Sequence, residues 1–135
     1  MTLVAFVFTL FAPLVGGVEV PSVSLLGTGS QFPMVGLGLC CRPTAMGDAV
    51  RRSVVEFLMM GGRHLDDAQV YNNHREVGQG IREAIERGIP REEIFLTTKI
   101  AADRFGFEDV LEWVPQMLAD LQVDYVDLVL LHWAG

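Results

Sequence analysis

Four short apolar runs recur along the chain: Met34-Val35-Gly36-Leu37-Gly38, Arg63-His64-Leu65-Asp66, Ile94 to Lys99, and Val126 to His132. A strand buried in a parallel sheet reads as such a run, without strict alternation. The runs predict strands at about Val35–Leu39, Arg63–Asp66, Ile94–Lys99 and Tyr125–Leu131. Between them the period changes to that of a helix. Val50, Val54, Phe57 and Leu58 fall at i, i+4, i+7 and i+8, as do Val77, Ile81, Ala84 and Ile85. The first helix has Pro43-Thr44 near its start and ends at Gly61-Gly62. The second follows Asn72-Asn73, which predict a cap, and stops at Gly88 and Pro90. A third, about Phe107–Leu121, carries Leu111, Val114, Leu118 and Leu121. Pro115 inside it predicts a kink or a late start. Ahead of the first strand, Ser22–Leu26, Gly27–Ser30 and Gln31–Pro33 read as a short hairpin covering one end of the sheet.

Strand plus returning helix takes roughly 30 residues, the size of a βα unit. The fold class is therefore α/β, of the (β/α)8 barrel type. Such a barrel needs about 250 residues, and the 135 residues supply four strands and three helices. The chain reads as the first half of a barrel over residues 22–135, a fragment or truncated gene product. Open sheet edges then invite self-association. A repeat near 33 residues also occurs in ankyrin arrays, but each unit here has one helix and one β run, and the Thr-Pro-Leu-His pattern is absent.

Composition narrows the classes further. The net charge is −7 and no basic stripe is present, which argues against nucleic-acid binding. The two cysteines, Cys40 and Cys41, are adjacent and form no framework or CxxC signature, so two free thiols are expected. Neither Gly27-Thr28-Gly29 nor Gly36-Leu37-Gly38 completes a dinucleotide-binding glycine fingerprint. Residues 1–21 differ in character, being uncharged from Leu3 to Val18. This segment resembles a secretory h-region with a candidate cut after Gly17, although the basic n-region is missing. It is short for a bilayer span of about 20 residues. An apolar extension or a mis-assigned start stay open beside the signal peptide.

Asp66, Lys99 and His132 lie 33 residues apart, twice over, each at the end of an apolar run. Barrel chemistry sits at the strands' C-terminal ends, so the three would reach one rim. Tyr71 follows in the loop after Asp66. Carbonyl reduction needs a hydride, which a nicotinamide cofactor supplies, and a proton. A phenol beside a lysine cation is a suitable donor, because the cation favours the phenolate. A carboxylate holds the ammonium, and an imidazole orients the carbonyl oxygen. Singly, each residue has a plainer explanation: a strand-end cap, a surface lysine, a loop aromatic. Their joint spacing carries the argument. A metal site built from His64, Asp66, Asp67, His74 and His132 is the rival, but Lys99 would set a cation against the metal.

Gly62-Arg63-His64-Leu65-Asp66-Asp67-Ala68, with Tyr71-Asn72-Asn73 and Glu76-Val77-Gly78, resembles the first signature of the aldo-keto reductases. Pro90 to Lys99 is similar to the segment that delivers that family's lysine, and Leu121 to Trp133 to its fourth strand. The resemblance implies an NADP(H)-dependent reductase of small carbonyl compounds on a (β/α)8 barrel. It implies a catalytic tetrad of Asp66, Tyr71, Lys99 and His132. The cofactor would lie by Gly38, Leu39 and Asp66, and the substrate by Cys40 and Trp133. It also implies a cytoplasmic enzyme, or one in the secretory pathway if the apolar leader is a signal peptide. Some proteins resembling this family act by binding a partner, which leaves a non-catalytic alternative. The chain departs from the family pattern at several places. Leu39-Cys40 stands for a hydroxyl residue and an aromatic, Asp67 for a small or hydroxyl residue, His74 for an acid and Ala134 for a proline.

Overall fold

A computed structural model describes residues 20–41 and 46–133. The apolar leader, Pro43-Thr44 and Ala134 lie outside the described residues. A two-stranded antiparallel hairpin, β1 (Ser22–Ser24) and β2 (Gln31–Pro33), comes first. A four-stranded parallel sheet follows, in the order β3 (Gly36–Gly38), β4 (His64–Asp66), β5 (Phe95–Ile100) and β6 (Leu128–Leu131). The connections carry α1 (Gly47–Met59), α2 (His74–Glu86) and α3 (Phe107–Leu121). Sequence-ordered parallel strands with one helix in each connection are the first half of a (β/α)8 barrel. The hairpin packs on the sheet as expected: the Phe32 ring meets those of His64 and Phe95, with centroids 4.7 and 5.1 Å away.

Alternation along the strands sorts side chains into two layers. Leu65, Leu96 and Ile100 point to the helices. There they meet Val50, Val54 and Leu58 of α1, Val77 and Ile81 of α2, and Trp113, Met117 and Leu121 of α3. Each large apolar side chain so buried contributes roughly 1.5–3 kcal/mol. The helices close on left-handed residues: Gly61 (φ 97°) and Gly88 (φ 101°) serve α1 and α2, where an L side chain would be strained. Gln122 (φ 56°) takes that place after α3, so this helix end carries no glycine signal. At Gly78 a Cβ would overlap the backbone of Leu121, so glycine sets how closely α2 and α3 approach.

Several sequence expectations are corrected. Ile85 is 39 % exposed and Leu111 55 % exposed, so neither belongs to the buried stripe. In α3 the buried face is Trp113, Met117 and Leu121, with Val114 and Leu118 at its flank, because the bulkiest residues take the centre. The helix does not start late. Pro115 sits within its run, and both Pro115 and Leu111, whose carbonyl it leaves unpaired, are on the exposed side where water can serve. The last strand begins at Leu128 rather than Tyr125. The Asp127 carboxylate accepts the Leu96 amide at 2.9 Å and pairs with Arg91 at 3.0 Å, so a side chain takes over the ladder there. The sulfurs of Cys40 and Cys41 lie against each other just past β3.

Candidate active site

The register explains how a 33-residue spacing delivers one cluster. Asp66 pairs with Thr97, two residues before Lys99, and Lys99 pairs with Leu130, two residues before His132. Each member of the series therefore stands two residues further along its strand than the last. A step of two keeps every side chain on the same face of the sheet. Barrel strands tilt and stagger, so a rising register still ends on one rim.

On that rim Lys99 is the hub. Its ammonium donates to Asp66 Oδ1 at 2.5 Å and to the Asp67 carbonyl at 2.9 Å, and lies 3.5 Å from the Tyr71 hydroxyl. Its nitrogen sits 5.3 Å from the Tyr71 ring centre. Tyr71 closes a 3-10 turn, Gln69–Tyr71, that hangs over the end of β5. Gln69 pins this turn by accepting the Ala101 amide at 3.0 Å. The His132 ring meets Tyr71 edge-on at 5.6 Å and stacks on Trp133 at 4.0 Å. Burial and the Lys99 cation both lower the His132 pKa below the ordinary imidazole value, against an opposing pull from Asp66. The ring is thus neutral at neutral pH. Its Nδ1 is buried and makes no hydrogen bond.

The other expected site residues fall around this hub. Cys40, Cys41, Met46, Val70, Tyr71, His132 and Trp133 line a cleft of about 390 Å³, with Leu39 at its floor. Leu39 is a core residue whose carbonyl accepts the Asn73 side-chain amide at 2.9 Å. That bond corrects one expectation, since Asn73 precedes α2 but makes no side-chain cap to it. The space where a Cβ of Gly38 would sit is open. His64 is drawn elsewhere, to the Thr97 hydroxyl at 3.0 Å beneath the rim. Among the described residues no group of three or more His, Cys, Asp or Glu could hold a metal ion. Also among them, no helix is long and apolar enough to cross a membrane.

Behind the rim lies a group that spacing did not single out. Asp67, next to Asp66, points outward into the helix layer and is 0 % exposed. Its Oδ2 is 3.5 Å from His74 Nε2, which is 3.3 Å from the Thr98 hydroxyl. Burial raises the Asp67 carboxyl to about 7, opposed by the Ala68 amide and the Lys99 cation. Burial lowers His74. The available signal was an acid on the outward, core-facing side of a buried strand.

The aldo/keto reductase family profile matches residues 36–135. The chain is 40 % identical over 111 residues to rat aldo-keto reductase family 1 member A1, covering 81 % of this chain and 33 % of the relative. It is 43 % identical over 110 residues to D/L-glyceraldehyde reductase of Hypocrea jecorina, covering 80 % and 32 %. Among solved structures, a Bombyx mori aldo-keto reductase in complex with NADP superposes with a TM-score of 0.79 at 37 % identity, covering 87 % of this chain and 39 % of that one. An aldo/keto reductase from Brucella melitensis gives 0.74 at 37 %, covering 85 % and 42 %. The chain belongs to the aldo/keto reductase family. It spans about a third of the length of the curated relatives it matches.

Proposed function

We propose that this chain carries the catalytic rim of an NADPH-dependent reductase that converts a small aldehyde or ketone to its alcohol. The observation that carries the reading is the Lys99 ammonium held between Asp66 and the Tyr71 hydroxyl. Tyr71 donates its hydroxyl proton to the carbonyl oxygen, and the phenolate left behind is stabilised by the Lys99 cation. Asp66 keeps that cation charged and in place. Neutral His132 orients the carbonyl oxygen by a ring nitrogen, and Trp133 and Cys40 border the substrate. The open space over Gly38 and the half-exposed Asp66 carboxylate suit the nicotinamide end of the cofactor. NADPH, when bound, supplies the hydride to the carbonyl carbon. A small cleft with several apolar walls suits a small aldehyde, and the names of the relatives agree in kind.

The test uses the longest product the gene encodes, purified and mixed with NADPH and a panel of small carbonyls. Loss of nicotinamide absorbance with at least one aldehyde is expected. Demonstrated cofactor binding with no turnover on any of them would favour a partner-binding role instead.

A further inference from the structure

We propose that Asp67 and His74 act as a positioning pair behind the rim, holding Lys99 in register. The inference rests on the reading of Lys99 as part of the catalytic rim.

Two routes lead from the pair to Lys99. The Asp67 carbonyl accepts the Lys99 ammonium directly at 2.9 Å, and the Asp67 amide donates to the Thr97 carbonyl at 2.9 Å. So the backbone of Asp67 sits between the lysine head and the strand that bears it. On the other side, Thr98 immediately precedes Lys99, and its hydroxyl meets His74 Nε2 at 3.3 Å. Any shift of the Asp67 side chain or the His74 ring therefore bears on both residues that flank the ammonium.

Asp67 is fully enclosed, and His74 stands between it and a cavity lined by Gln69, Trp113 and Asp120. Neither Asp67 carboxyl oxygen has a side-chain hydrogen-bond partner in good geometry, and His74 Nε2 at 3.5 Å is its nearest ionic neighbour. The Trp113 ring lies beside His74, its centre 6.4 Å away and its plane tilted by 45°. A buried acid 3.5 Å from a buried base favours holding one proton on the two groups taken together, since an unpaired charge is costly there. The charged groups that face Asp67 are Lys99 on β5 and Asp66 on β4. Asp120 on α3 acts on His74. When the pair loses its proton, a negative charge appears on Asp67 and acts on the Lys99 ammonium across the sheet, in addition to that of Asp66. When it regains it, Asp66 alone faces the cation.

Lys99 is the sole lysine of the 135-residue sequence, which makes the test specific. Protein labelled with carbon-13 lysine gives one ε-methylene signal, free of the need for cofactor or turnover. Its shift is followed through neutral pH in the wild type, Asp67→Asn and His74→Gln, with the His74 ring signal recorded alongside. The wild-type Lys99 signal is expected to show an inflection near neutrality that coincides with the pair, and Asp67→Asn should abolish it. Asp67→Asn should also move the His74 midpoint. A wild-type signal flat through neutral pH, or one with the same inflection in Asp67→Asn, overturns the proposal even if a variant folds poorly. In the carbonyl assay, Asp67→Asn should flatten the neutral limb of the kcat profile with KM nearly unchanged. A misplaced catalytic group can cost up to about 100-fold, so kcat should fall by about tenfold at the pH where the pair is ionised. Turnover with an unaltered pH profile in Asp67→Asn would contradict the pair alone. Absence of turnover in wild type would instead contradict the proposed reaction, and the lysine signal would still decide the pair.

Discussion

Replacing Asp67 by asparagine should stabilise the protein, and only above a certain pH. In the unfolded chain this carboxyl gives up its proton near the ordinary value of 3.8, and in the folded one at about 7, because burial penalises the anion. Between those values the folded state holds a proton that the unfolded state has released. Stability due to this group is therefore full below about pH 3.8 and is lost as pH rises toward 7. Each unit of difference is worth about 1.4 kcal/mol, so the whole loss is on the order of 4 kcal/mol. Asparagine is nearly isosteric and does not ionise. The variant should match wild type within about 1 kcal/mol near pH 4 and gain on it progressively, by up to about 4 kcal/mol above pH 7, less whatever the ionised pair with His74 returns. Urea unfolding followed by circular dichroism at a series of pH values measures the difference directly. The difference between the two proteins isolates Asp67 together with its effect on His74, since the remaining titrating groups are common to both. A difference that does not vary with pH, or one that shrinks as pH rises, would refute the reasoning.

Two further outcomes follow from the geometry. Lys99→Met keeps a similar length but removes the cation from the Tyr71 hydroxyl, so kcat for carbonyl reduction should fall by about 100-fold or more, read from nicotinamide absorbance under saturating substrate. Gly78→Ala would push a methyl group into the backbone of Leu121 and force α2 and α3 apart. It should cost about 1–3 kcal/mol in urea unfolding, whereas Gly38→Ala, which meets open space, should cost far less.

Much of the rim could be read along the chain because two periods coincide there. A βα unit repeats at about the 33-residue spacing, and a two-residue advance per strand preserves the face on which a side chain stands. Asp66, Lys99 and His132 therefore announce themselves, and the loop after Asp66 brings Tyr71 over them. Asp67 did not, because spacing says nothing about which neighbour of a strand-end residue points to the helices. His74 is seven positions away and lies on another element, so only the folded packing joins the two. Asn73 misled for a related reason: its amide reaches the Leu39 carbonyl across the layer, a partner no local pattern contains. Stripes drawn from leucine and isoleucine spacing overshot at Ile85 and Leu111. In α3 the buried face is decided by the bulk of Trp113 and Met117 instead.

The most direct measurement of the central claim is Tyr71→Phe, assayed for both carbonyl reduction and NADPH affinity in the longest form the gene encodes. The ring and its packing against His132 stay, and only the proton donor is removed. Turnover should fall by about 100- to 10,000-fold while NADPH affinity changes little. Near-wild-type turnover in Tyr71→Phe would show that the hydroxyl beside Lys99 is not the proton donor.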